Sequence, residues 1–158
     1  MKLKCYFAHP FRSKDTEEAK RIIEILKGRR VEVINPFVGE DKMAEKHGVE
    51  GYYPTTPYKL GREIWVKDLD QIDNCNMALF WLPEGYTIVG CYAEIQHVIE
   101  YQNRIMRRNI YIDPNEQEPY LVQFITEIRH PLIAWALCYG NQLYNDIDEF
   151  ERFRQTRW

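Results

Sequence analysis

Residues 60–103 read LGREIWVKDLDQIDNCNMALFWLPEGYTIVGCYAEIQHVIEYQN, and the way this stretch divides decides the fold. At about 100° per residue, Leu60, Ile64, Trp65, Leu69 and Ile72 fill one half of a helical wheel, so a helix opens it. Residues 77–82 are apolar throughout, as a strand covered on both faces must be. Pro83 and Gly85 mark a loop. A second helix starts near Gly90, with Cys91, Tyr92, Ile95, Val98 and Ile99 on its buried face. Helix, buried strand, loop, helix is a unit of a parallel α/β sheet.

Each helix carries a carboxylate in an unusual place. Asp68 falls near the middle of the apolar half of the first wheel, whereas Glu63, Asp70 and Asp73 fall outside it. A carboxylate facing a core must be paired, hydrogen-bonded or lining a cavity. It can be a structural acceptor for a neighbouring loop, or part of a site. Glu94 flanks the buried face of the second helix. Its plain reading is an acid favoured by the helix dipole. The other reading places it at the carboxyl end of a parallel strand, where α/β proteins bind ligands.

Working outward, residues 2–8 form a strand with Leu3, Cys5 and Phe7 alternating, ended by His9-Pro10. A helix spans 15–27, with Asp15 and Glu18 in a capping-box pattern and Gly28 as its stop. The second strand is 31–34, ended by Asn35-Pro36. A short helix over 41–47 precedes an aromatic, proline-rich loop (Tyr52, Tyr53, Pro54, Pro57, Tyr58), either a lid or a self-packed surface loop. Downstream, a strand is expected at 109–112, a polar turn at 115–118 and a short helix at 131–137. Residues 120–128 are ambiguous between helix and strand, and 142–144 form the last strand. The expected architecture is a single three-layer α/β domain over 1–158, flavodoxin- or Rossmann-like. Its five-stranded, mainly parallel sheet has helices on both faces. The first three strands then deliver residues 9–12, 35–37 and 83–90 to one edge as a concave site.

The composition excludes several classes. At 158 residues, 45% apolar and 14% aromatic, the chain is globular, and its net charge of −3 argues against capture of nucleic acid. No apolar run is long enough for a bilayer span, and no signal peptide precedes the first strand, so a cytoplasmic protein is expected. Cys5, Cys75, Cys91 and Cys138 lack CxxC spacing and read as reduced, mostly buried residues. There is no phosphate-binding GxxxxGK[ST], no GxGxxG, no HExxH and no GxSxG. His9, His47, His97 and His130 are scattered, so neither a metal nor a cofactor is expected. Arg104, Arg107 and Arg108 read as an exposed basic turn.

Acidic chemistry is left. Two carboxylates in one pocket suit glycosyl transfer, one attacking the anomeric carbon while the other manages the proton of the leaving group. They need environments that keep one ionised and let the other carry a proton. Spacing alone does not separate this from a binding site.

Three blocks resemble the nucleoside 2-deoxyribosyltransferase family. CYFAHPFRS (5–13) is similar to its first strand and loop, a Tyr-hydrophobic-Ala-Gly-Pro-Phe-Phe pattern. KDLDQIDNCNMALFW (67–81) is similar to its Asp-bearing helix and following strand, and GCYAEI (90–95) to its Gly-x-x-x-Glu helix start. HPLIAWALCYGNQLY (130–144) resembles its last short helix and strand more weakly.

The resemblance implies roles. Glu94 matches the nucleophile that attacks C1′ and forms a covalent glycosyl-enzyme, Asp68 the residue handling the proton on the base, and Tyr6 a tyrosine that positions the nucleophile. Phe11 matches an aromatic of the base pocket, and Gly90 opens the nucleophile's helix. The implied activity is deoxyribosyl transfer between a nucleoside and a free nucleobase, in nucleotide salvage, by a homo-oligomer whose neighbouring C-terminal region closes each site. The chain departs from the pattern at His9, in place of Gly, and at Arg12, in place of the second Phe. Ile88, beside Thr87, stands where nucleoside-specific members carry a sugar-binding carboxylate. The related 2′-deoxynucleoside 5′-monophosphate N-glycosidases also have an arginine in the first loop, and Arg12 with Thr87 suits a 5′-phosphate. Arg12 can instead pair with Asp15 or Glu17. Monophosphate hydrolysis is thus the alternative activity, and a non-catalytic nucleotide-binding module a further one, motivated by His9 and Ile88.

Overall fold

A computed structural model describes residues 3–49, 57–109, 120–126, 140 and 142–153. Its five strands are β1 (Lys4–Ala8), β2 (Glu32–Ile34), β3 (Met77–Leu82), β4 (Leu121–Thr126) and β5 (Gln142–Tyr144). They form one sheet in the order β2-β1-β3-β4-β5, and every neighbouring pair is parallel. The helices are α1 (Glu17–Gly28), α2 (Glu40–Lys46), α3 (Tyr58–Asp73), α4 (Val89–Asn109) and α5 (Ile147–Arg152). This is the expected three-layer α/β architecture.

The strand alternation sorts the core into two layers. Tyr6 and Ala8 of β1, with Ala78, Phe80 and Leu82 of β3, pack under α3 and α4. Cys5 and Phe7, with Met77, Leu79 and Trp81, pack under α1 and α5. All six β3 side chains are buried, so the uninterrupted apolar run is what a central strand needs. A smaller cluster, Ala44 with Leu60, joins α2 to α3.

Several boundaries differ from the sequence reading. Helix α1 is capped by Thr16, whose Oγ1 accepts from the Ala19 amide at 3.2 Å, not by Asp15. Two sites compete for the cap, and Thr16 wins because its hydroxyl also donates to the carbonyl of Ser13. Helix α4 continues through Arg104 and Arg107 to Asn109, where a turn and the start of a strand were expected. Tyr101 and Ile105 extend its packing stripe past the point where charges interrupt the apolar pattern. Residues 121–126 resolve the ambiguous run as a strand. Trp65 is 37% exposed, because only the arc bearing Leu60, Asp68 and Ile72 is buried in α3. Helix α5 was not anticipated. Asp146 accepts from the Glu149 amide and Glu149 accepts from that of Asn145, while Arg29 donates to the carbonyls of Phe150 and Phe153. The expectations for residues 52–54, 110–112, 115–118 and 131–137 lie outside the described residues.

Candidate active site

The carboxyl ends of β1, β2 and β3 meet at one cavity of about 270 Å³. Each strand delivers a wall. After β1, Pro10 ends the ladder and residues Phe11–Ser13 make a tight 3-10 turn, closed by Ser13 Oγ donating to the Pro10 carbonyl at 2.7 Å. His9, Pro10, Phe11 and Arg12 line the cavity from this turn. Beyond β2, Pro36 and Phe37 follow, then Glu40 at the start of α2. After β3, the chain turns at Gly85, whose φ of 81° is the left-handed conformation that glycine adopts without a Cβ clash. Thr87, Gly90, Cys91 and Glu94 then supply the third wall, and Ile64 and Asp68 of α3 the fourth.

Both sequence-marked carboxylates are there and both are buried, Asp68 at 7% exposure and Glu94 at 8%. Asp68 is the one polar side chain among the three buried residues of α3, between Leu60 and Ile72. Glu94 lies in the second turn of α4, not the first, so the helix dipole accounts for it poorly. Tyr6 reaches it from β1, its hydroxyl donating to Glu94 Oε1 at 2.6 Å. Burial is the main cause that pushes Glu94 up to about 7, with the Asp68 and Glu40 charges adding and the Tyr6 hydrogen bond opposing. Burial likewise pushes Asp68 up to about 6, with the Lys67 ammonium pulling it down and Glu40 raising it. Near neutral pH the cavity therefore holds carboxyls poised between acid and base.

Part of the cavity lining is aromatic. His9 stacks on Phe7 with ring centroids 4.5 Å apart and meets Phe37 edge-on at 4.9 Å. Phe37 in turn meets Phe11 edge-on at 5.6 Å. Burial lowers His9 to about 4, so the ring is neutral at physiological pH. Since Ser13 Oγ spends its proton on Pro10, His9 Nδ1 donates to Ser13 Oγ at 2.9 Å. A cavity lined by neutral aromatic rings as well as carboxyls suits a ligand with one flat apolar part and one polar part.

Of the residues singled out in the sequence, Asp68, Glu94, His9, Phe11, Arg12, Thr87 and Gly90 line the cavity, and Tyr6 backs it. Ile88 does not line it. Its side chain packs against the core under α3 and α4, because it precedes α4 and its carbonyl accepts the first helical hydrogen bond, from the Tyr92 amide. Arg12 is exposed and, among the described residues, forms no ion pair with Asp15 or Glu17. The sequence reading missed Glu40, 2% exposed, and Lys67. Lys67 Nζ lies 2.9 Å from Glu40 Oε1 and 3.3 Å from Asp68 Oδ1, and donates to the Pro36 carbonyl. No cluster of His, Cys, Asp or Glu among the described residues has metal-binding geometry, and no described helix is long and apolar enough to cross a membrane.

A larger groove of about 910 Å³ runs along the outer side of α3, near Lys4 and Cys75. Its carboxylates, Glu63 and Asp70, are not buried, so it lacks the buried acids that mark the smaller cavity.

No protein-family model matches the sequence, and no curated protein matches it. The backbone has solved counterparts. It superposes on the 2-deoxyribosyltransferase of the psychrotolerant bacterium Bacillus psychrosaccharolyticus with a TM-score of 0.62 at 12% identity, over 96% of this chain and 92% of that one. It superposes on the Clostridium botulinum CMP N-glycosidase BcmB with a TM-score of 0.53 at 14% identity, over 94% of each chain. The chain thus shares, over most of its length, the fold on which a 2-deoxyribosyltransferase and a CMP N-glycosidase are built.

Proposed function

We propose that this protein is an N-glycosyl-transferring enzyme that moves a 2-deoxyribosyl group between nucleobases through a covalent glycosyl intermediate on Glu94. The observation that carries the reading is the buried carboxylate pair, Glu94 held by the Tyr6 hydroxyl and Asp68 lining the same cavity. Ionised Glu94 attacks C1′ as the N-glycosidic bond breaks and the sugar passes through an oxocarbenium-like state. Asp68, protonated, gives its proton to the departing base. An incoming base then attacks C1′, the bond to Glu94 breaks, and Asp68 takes the proton that the base releases. Two displacements give net retention. Tyr6 fixes the attacking oxygen without spending a charge. The aromatic wall of His9, Phe11 and Phe37 suits the flat base.

A second reading is hydrolysis of a 2′-deoxynucleoside 5′-monophosphate, with water as the acceptor. The exposed guanidinium of Arg12, which lines the cavity and forms no ion pair among the described residues, favours it. So do the first amides of α4, which precede its first helical hydrogen bond and include Gly90 and Cys91 on the cavity wall. Both readings place the protein in cytoplasmic nucleotide metabolism, as a homo-oligomer in which a neighbouring C-terminal region completes the cavity.

One experiment ranks them. The protein is incubated with deoxynucleosides or their monophosphates, with and without a free base, and the products are separated by chromatography. Base exchange that requires an added base supports transfer. Free base released from the monophosphate alone supports hydrolysis. Binding without turnover of either reduces the protein to a nucleotide-binding module. Glu94→Gln abolishes turnover in either catalytic case, and retained activity would remove Glu94 as nucleophile.

A further inference from the structure

Lys67 is chemically conspicuous and has no role in the scheme above. It sits beside Asp68 on α3, yet its side chain does not line the active cavity. Its ammonium donates to two oxygens and lies within ion-pair distance of a third, Asp68 Oδ1, which accepts no hydrogen bond among the described residues. The Pro36 carbonyl comes from the loop after β2, Glu40 Oε1 from α2 at 2.9 Å, and Asp68 Oδ1 from its own helix at 3.3 Å. Glu40 and Asp68 both line the cavity and are almost wholly buried. One cation therefore ties together two buried carboxylates and a backbone carbonyl from three separate segments.

We propose that Lys67 is a positioning residue of this site: by bridging Asp68, Glu40 and Pro36 from behind the cavity wall, it fixes the proton-carrying carboxyl and sets how many charges the cavity holds. The proposal rests on the reaction inferred above and adds to it a residue and a charge balance. Among the described residues, the groups facing Asp68 are Lys67 on its own helix, Glu40 from α2, Glu94 with the neighbouring Cys91 from α4, and Tyr6 from β1. His9, neutral, and Arg12 line the same cavity. Among these, Lys67 is the cation in contact with Asp68, and Glu40 is the anion held by the same ammonium. With the Lys67 and Glu40 charges cancelling, Asp68 and Glu94 are left to share protons. Removing the cation should hold protons on that pair to higher pH, and removing the Glu40 charge should release them at lower pH.

This opposition gives the test. Lys67→Met, Lys67→Arg, Glu40→Gln and the control Lys46→Met are compared with the full-length wild type. Lys46 is an exposed lysine paired with Glu63. The readouts are kcat and KM against pH, and the titration of ¹³C-labelled carboxyl groups by NMR. Lys67→Met is expected to move the pH profile up by about one unit and lower kcat about tenfold, with KM little changed. Glu40→Gln is expected to move the profile down. Lys67→Arg, which keeps the charge but not the compact ammonium that fits between these oxygens, keeps the pH position and loses part of kcat. Lys46→Met leaves both unchanged. If Lys67→Met does not fold, the Glu40→Gln and Lys67→Arg profiles decide. A profile unmoved in all these variants overturns the proposal, and so does a rise in KM at constant kcat for a Lys67 variant, which would make Lys67 a substrate contact. If the wild type turns over no nucleoside or nucleotide, the proposed reaction fails, while the carboxyl titrations still read out the role of Lys67.

Discussion

The Tyr6 hydroxyl, at the middle of β1, donates a 2.6 Å hydrogen bond to Glu94, which is 88 residues away in sequence and one turn inside α4. The bond crosses from sheet to helix because β1 and β3 pair in parallel, Tyr6 opposite Ala78, and the even-numbered side chains of β1 face α4. It favours ionised Glu94 against a burial that opposes ionisation.

Tyr6→Phe removes this donor and leaves the ring. A hydrogen bond to a charged group contributes about 1.5–3 kcal/mol, so kcat is expected to fall by about 10- to 100-fold. The ionisation limb of the rate profile moves to higher pH, because the bond holds Glu94 down. A pH–rate series on the variant checks this, and a limb that stays in place would show that Tyr6 does not act on the nucleophile.

Glu94 and Asp68 make the fold less stable as the pH rises. Their folded values, about 7 and about 6, lie above the usual 4.5 and 3.8. The folded chain thus binds more protons than the unfolded one between about pH 4 and 7, and stability falls across that window. At ~1.4 kcal/mol per unit, each carboxyl costs about 3 kcal/mol once ionised. Glu94→Gln is therefore expected to be inactive yet more stable than wild type at pH 8, with the difference vanishing near pH 4. Urea unfolding at both pH values measures it. A variant less stable than wild type at pH 8 would contradict the buried-charge account.

How much of this was legible depends on how far each residue's environment is local. The inward place of Asp68 follows from the period of its own helix, and the strand at 77–82 from an apolar run with no polar interruption. Glu40 was illegible because α2 is only seven residues long and starts from Gly39 at a φ of 86°, so no periodicity marks its buried side. Lys67 was illegible because its partners come from the loop after β2 and from α2, remote in sequence. The end of α4 was misjudged because Arg104 and Arg107 interrupt the apolar pattern, although Tyr101 and Ile105 carry its packing on. Helix α5 did have a local signal, Asp146 followed by Glu149, which was passed over in a charged, aromatic tail.

Arg12 separates the two substrate readings. Arg12→Gln is expected to raise KM for deoxynucleoside monophosphates about tenfold or more, the loss of a charge-assisted bidentate contact, and to leave deoxynucleosides unaffected. Because Arg12 is exposed and forms no ion pair among the described residues, the variant should fold normally. Equal KM effects on both substrate classes would argue against a phosphate at the rim.

Asp68 is the last link, because its task depends on the leaving group. It must carry a proton to protonate a departing base, and its value of about 6 means that this form is lost above that pH. Glu94, at about 7, must lose its proton to attack. The productive state, with one proton on Asp68 and none on Glu94, is richest between those two values, so a bell-shaped profile is expected there. Asp68→Asn cannot donate the proton. It should slow ordinary deoxynucleosides by about 10²- to 10⁴-fold. An N7-methylated purine already carries its positive charge and leaves as a neutral base, so its cleavage should slow less than about tenfold by the same reasoning. The alkaline limb should also flatten, leaving a profile that rises with ionisation of Glu94 alone. If Asp68→Asn slows both kinds of substrate equally, the residue orients the sugar or supports the fold, and the proton comes from elsewhere.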